Sequence, residues 1–234
     1  VFAQVRELFA GIPRGPEVGP VSAPESHRLP VRLVHEDDVE LARLYLSWPS
    51  PALFAGGDAE LDLVSDLLAN GRSSRLYGRL MHDYRLAADV AAHQVSRELE
   101  GLFQIVITAA PGHTLSEIAD VVDDEIRRFA DDGPTSAEVA RGRVRAESAF
   151  VHRLETLGGF GGRADQLNAY NIHLGTPNGF DRDLERYLSA DADALRRACR
   201  ERLAMPAVVA LSVVPKGRRD LALPDSQVPS GGVR

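Results

Sequence analysis

Apolar residues recur at helical spacing near both ends and through the middle of this chain, and alternate with polar ones in between. Phe2, Val5, Leu8, Phe9 and Ile12 share one helical face before Gly11 and Pro13 end it. Val31 to His35 and Leu41 to Trp48 read as two strands, with Leu44, Leu46 and Trp48 on one face and Glu36-Asp37-Asp38 between them as a turn. Asp58 stands where a cap belongs, ahead of a helix whose stripe is Leu61, Val64, Leu67 and Leu68 and which stops at Asn70-Gly71. A short helix is predicted from Ser73 or Ser74 to about Met81. Ala88 to Arg97 and Leu102 to Ala109 form the clearest β signal, an antiparallel pair around Glu100-Gly101.

Two capping boxes follow, Thr114 with Glu117 and Thr135 with Glu138, separated by Asp131-Asp132-Gly133-Pro134. The second opens a long helix to about Leu157, which pauses at Gly158-Gly159-Phe160-Gly161-Gly162 and resumes through Ala164, Leu167, Tyr170 and His173. Ser189 is read as the cap of a last helix through Leu195, Cys199 and Leu203, before a β-rich run from Ala207 to Val214. Strands in pairs, with helices grouped between them, predict an α+β fold: an antiparallel-rich mixed sheet layered with helices.

Pro13, Pro16, Pro20, Pro24 and Pro30 punctuate a polar stretch that suits an extended linker. The expected organisation is residues 1–14 as the last helix of a preceding domain, 15–28 as a linker, 29–219 as the main domain and 220–234 as a disordered tail. The start at Val1, without methionine, reads as a piece of a longer protein.

The chain has 234 residues, is 44% hydrophobic and carries a formal net charge of -7. That length can bury a sizeable core. The acidic balance argues against a nucleic-acid partner, which needs clustered basic side chains. No apolar run approaches the roughly 20 residues of a membrane-spanning helix. A single cysteine, Cys199, excludes an internal disulfide and a multi-thiolate metal site, and its apolar helical setting marks it as a buried inert thiol.

The candidate chemistry is mostly negative. A zinc peptidase needs two histidines and a glutamate at helical spacing, as in H-x-x-E-H. His35-Glu36 and His152 with Glu155 each lack the second histidine, and His27, His82, His93, His113 and His173 show no ligand spacing. His35 with Glu36, Asp37 and Asp38 lacks the central glycine of a calcium loop. The glycines at 158, 159, 161 and 162 lie between helical patterns without the lysine of a phosphate loop, so a helix break accounts for them. No G-x-S-x-G elbow is present. The sequence therefore predicts no catalytic residue and no metal ligand.

Leu67-Leu68-Ala69-Asn70-Gly71-Arg72-Ser73-Ser74-Arg75-Leu76-Tyr77 resembles the signature of the C-terminal, peptidase-inactive domain of insulinase/pitrilysin-type (inverzincin) zinc metallopeptidases. Phe9-Ala10-Gly11-Ile12-Pro13-Arg14-Gly15 resembles the motif that closes the preceding domain. Leu86 to Val90, Gly101 to Ile105, Gly133 to Val139 and Ala164 to Tyr170 follow in the family's order, so the likeness extends to about Pro215.

The resemblance implies paired α+β domains whose units close over a peptide, with zinc in a catalytic half that this segment lacks. Gly71, Ser73, Ser74, Arg75 and Leu76 are then structural motif residues. The Arg and Tyr by which the second domain of the non-catalytic unit holds substrate in many relatives would fall on Met81 and Ala88, which supply neither charge nor phenol, and the resemblance equally allows the second domain of the active unit, where the pair is not expected. The leading expectation is a non-catalytic domain that shapes the chamber of a zinc endopeptidase and contacts its catalytic half, inactive by itself. The compartment is read as periplasmic or otherwise exported on resemblance alone. The alternative is a non-catalytic scaffold subunit of the same fold, like the core proteins of respiratory complexes. An H-x-x-E-H motif upstream or in an adjacent reading frame would favour the peptidase. A self-contained, acidic small-molecule-binding domain ranks third.

Overall fold

A computed structural model describes residues 1–17, 19, 21 and 29–229. Pro20, Pro24 and His27, most of the predicted linker's later half and the last five residues lie outside the described residues. The chain runs α1 (Phe2–Phe9), β1 (Val31–Asp37), β2 (Arg43–Ser50), α2 (Asp58–Ala69), α3 (Arg75–Tyr77), β3 (Ala87–Val95) and β4 (Gly101–Ala109). It continues α4 (Leu115–Asp132), α5 (Ser136–Glu155), α6 (Arg163–Leu174), α7 (Phe180–Ser189), α8 (Ala192–Arg202) and β5 (Val209–Pro215). The fold is α+β, with a five-stranded mixed sheet in the order β1-β5-β2-β4-β3. Only β1 with β5 is parallel.

Side-chain alternation along the strands explains the two layers. Val34, Ser212, Leu44, Ile107 and Val90 sit opposite one another across all five strands, and all are buried on the helix side. Trp48 and Phe103 extend that core edge to face, at 6.2 Å between ring centroids. From the helix layer come Leu61, Val64 and Leu68 of α2, Ile118, Val122 and Phe129 of α4, and Leu195 and Cys199 of α8. Cys199 is fully buried, and burial pushes its thiol up to about 12. One position along each strand, Leu33, Leu211, Tyr45, Val106 and Ala91 make a second cross-sheet row on the open face, all half-buried.

Both capping boxes form as their spacing predicts: Thr114 and Thr135 accept from Glu117 and Glu138 backbone amides, and each glutamate reaches back to the cap residue's own N–H. Several expectations are corrected. Glu36 and Asp37 belong to β1, and β5 inserts between β1 and β2, so the first two strands are not neighbours. A long-range parallel pairing leaves no local trace. The short helix after Ser74 is α3 continued by a π-helix over Gly78–Asp83. Ser189 caps nothing; it ends α7, which the sequence reading passed over, and Asp191 caps α8 by accepting from Ala194 N–H at 2.8 Å.

The expected tail is also ordered where it is described. Arg219–Leu221 forms a 3-10 turn, Leu223 is buried, and Gln227 exchanges backbone hydrogen bonds with Arg32 and Val34 of 2.9 Å each. α1 has no buried residue; Phe2 is 90% and Leu8 72% exposed.

Candidate functional site

The signature loop links the end of α2 to α3, beside β3, the strand at one edge of the sheet. α2 stops at Asn70, and Gly71 follows at φ 93°, a left-handed conformation that glycine adopts without strain. Asn70 Nδ2 donates to Asp66 Oδ1 at 2.8 Å and to the Ala92 carbonyl at 3.2 Å, which ties the helix end to β3. Ser74, buried, donates its hydroxyl to the Gly71 carbonyl at 2.7 Å and closes the loop. Ser73 is exposed, and Leu76 is fully buried in the core.

Arg75 is engaged by internal partners on all three nitrogens. Nε and Nη2 donate to the two carboxylate oxygens of Glu138 at 2.7 and 2.9 Å, a bidentate pair. Nη2 also donates to the Gly133 carbonyl at 2.9 Å, Nη1 reaches Glu125 at 3.4 Å, and the guanidinium lies 4.7 Å from the Phe129 ring centre. The Arg75 hydrogen bonds hold the Glu138 carboxyl down to about 2, well below the usual range. One side chain thus joins α3 to α4, to the α4–α5 turn and to the capping box of α5.

Met81 lies in the π-helix, half-buried against the core, and Ala88 is exposed at an irregularity in the β3–β4 pairing between Ala87 and Asp89. The side chains at both positions are apolar, so no ion pair or hydrogen bond from them can hold a substrate. The weak histidine candidates stay apart. His152 lies 3.0 Å from Glu155 on the exposed end of α5, while Glu36, beside His35, is engaged by Gly217 N–H and Arg219. Among the described residues, no group of three or more His, Cys, Asp or Glu side chains is arranged to hold a metal ion.

A buried polar network escaped the sequence reading. Asp58, taken there for a helix cap, is 2% exposed, and the cap position is Gly57. Its carboxylate accepts from Phe54 N–H at 2.9 Å, from Gln94 at 2.8 Å, from Ser96 and from Arg186 at 2.6 Å. Arg186 also pairs with Asp183 at 2.9 Å, which accepts in turn from the Tyr170 hydroxyl at 2.9 Å. Tyr187 donates to Asp62 at 2.7 Å, and burial raises the Asp62 carboxyl to about 6. These contacts pin α6 and α7 to α2 and the β3–β4 turn. The available signal was the spacing of Phe180, Asp183, Leu184 and Tyr187 after Pro177-Asn178-Gly179, a helix start that was overlooked.

With the geometry described, the wider likeness falls into place. A protease structure from Helicobacter pylori superposes with a TM-score of 0.76 at 20% identity, covering 92% of this chain and 52% of that one. A peptidase M16 inactive domain from Pseudomonas fluorescens gives 0.74 at 17%, covering 92% and 50%. The periplasmic protease PqqL of Escherichia coli gives 0.66 at 9%, covering 92% and 24%. At such identities these structures establish a shared fold, a two-layer α+β domain found in proteases.

The family follows from the sequence: residues 1–144 match the peptidase M16 inactive domain, and the chain belongs to that family. The zinc protease PqqE of Helicobacter pylori (strain ATCC 700392 / 26695) is 25% identical over 124 residues, 53% of this chain and 28% of that protein. The chain thus spans about half the length of the first two solved relatives and less of the curated one.

Proposed function

We propose that this chain is the non-catalytic C-terminal domain of a zinc metalloendopeptidase. In this reading it forms part of the wall around a peptide and binds the catalytic half, which holds the zinc. The observation that carries it is the match to an inactive peptidase domain on a chain whose signature arginine is spent on internal partners. With Met81 and Ala88 at the substrate-holding positions of the resemblance, the domain encloses the peptide and does not activate it. Two surfaces suit contact with the companion half: the exposed apolar face of α1 and the half-buried row Leu33, Leu211, Tyr45, Val106 and Ala91. An exported setting accords with the fold shared with a periplasmic protease; no described helix is long and apolar enough to cross a membrane.

The test is reconstitution. The chain alone is expected to cleave no peptide and to retain no stoichiometric zinc after chelation and reloading. Added to the zinc-bearing half, it should raise cleavage of a quenched fluorescent peptide. Tight one-to-one zinc on this chain, or a catalytic half equally active without it, overturns the reading.

A further inference from the structure

The helices lie chiefly over β2, β3 and β4. Toward β5 and β1 the helix layer gives way to a cavity of about 500 Å³. Leu46 of β2 and Ala210 of β5 line it from the sheet, Ala119 from α4 and Ala207 from the approach to β5. Three alanines meet where larger side chains would close the gap, so the space is apolar and open. Its size is that of a binding pocket for one or two side chains.

The rim carries two carboxylates and one guanidinium. Asp120 and Asp123 lie three residues apart on α4 and therefore on one helical face. Both are exposed, and among the described residues neither makes a hydrogen bond or an ion pair of 4 Å or less. Arg32, also on the rim, donates to the carbonyl of Pro224, which lines the same cavity, at 3.2 Å. Partial desolvation and the neighbouring Asp120 raise the Asp123 carboxyl from its ordinary value, while Arg127, nearby on α4, and Arg32 oppose the shift.

We propose that this cavity takes one apolar side chain of a peptide whose neighbouring residue is Lys or Arg, with the apolar group among the alanines and the cation at Asp120 and Asp123. The proposal rests on the reading of the chain as a peptide-enclosing domain and adds to it a preference for apolar-basic pairs. A free peptide is the occupant the dimensions favour. A stable domain interface buries roughly 800 Å² on each side, and this pocket accommodates no more than a side chain or two.

Fluorescence anisotropy on the full chain with blocked, labelled Gly-Phe-Lys-Gly, Gly-Phe-Glu-Gly and Gly-Gly-Lys-Gly tests it. Gly-Phe-Lys-Gly is expected to bind about tenfold more tightly than either of the others, and less tightly as salt rises. The double variant D120N/D123N should lower that affinity about fivefold, remove the preference over Gly-Phe-Glu-Gly and leave thermal unfolding unchanged. Ala119→Leu, which fills the pocket, should abolish binding; if it also impairs folding, the surface pair Asp120 and Asp123 still decides. Equal binding of the three peptides, no binding of Gly-Phe-Lys-Gly at millimolar concentration, or wild-type affinity in D120N/D123N overturns the proposal. Reconstitution measured in parallel separates it from its parent reading: activation of the catalytic half without peptide preference sinks only the pocket. Peptide preference without activation sinks only the domain assignment.

Discussion

Arg75 shows how a side chain that looks functional in a motif becomes structural in the fold. Its guanidinium makes four hydrogen bonds, to Glu138, Glu125 and the Gly133 carbonyl, so Arg75→Met leaves carboxylates buried without a partner and is expected to cost about 3–5 kcal/mol in urea unfolding. Arg75→Lys, which cannot make the bidentate pair, should cost about 2 kcal/mol. Asp62 predicts the opposite sign. Its folded carboxyl sits near 6 against an ordinary 3.8, so the native state binds the extra proton between those values, and stability falls as pH rises through that window. Asp62→Asn keeps an acceptor for Tyr187 and avoids the buried charge. It should gain on the order of 2 kcal/mol at pH 8 and nothing below pH 4, read from unfolding curves at both values. Gly101 answers to space: a Cβ there would lie 2.4 Å from Ser50 Oγ and 2.7 Å from the Pro51 carbonyl, so Gly101→Ala should cost about 1–3 kcal/mol.

Among the elements, α4 and α5 start where their sequences say they start, because a capping box is a contact between residues three apart and needs no help from the rest of the fold. Thr114→Ala should therefore cost about 1 kcal/mol whatever α4 packs against. α7 is the opposite case. Its attachment to α2 runs through Tyr187, which donates to Asp62, and through Arg186, placed between Asp58 and Asp183, which come from segments 128 and 3 residues away. Arg186→Met is expected to loosen α6 and α7 before the rest of the domain unfolds. Limited proteolysis should then cut first within Gly158–Gly162 and Gly175–Gly179, and protection equal to wild type would show that the network does not hold these helices.

For the whole molecule, helices cover one face of the sheet over β2, β3 and β4 while the other face is left half-buried, and under the proposed function that second face is the side that meets the companion half. Leu211→Lys puts a charge in the middle of the open row without entering the core. Unfolding should stay within about 0.5 kcal/mol of wild type, while affinity for the zinc-bearing half falls by about tenfold or more in a pull-down titration. An unchanged affinity would move the contact elsewhere, with the exposed face of α1 as the next surface to test.

The sequence alone determined the α+β class, the β3–β4 pair, both capped helices, the inert cysteine and the family, because each is written in short-range spacing or in an ordered run of motifs. It also showed that Met81 and Ala88 bring no charge to a substrate. Only the tertiary structure decided that β5 separates β1 from β2, that Asp58 is the centre of a buried network and not a cap, that residues 219–229 fold back onto β1, and that three alanines leave a pocket beside the carboxylates of Asp120 and Asp123. Those features depend on residues far apart in the chain, and their partners exist only once the backbone has closed.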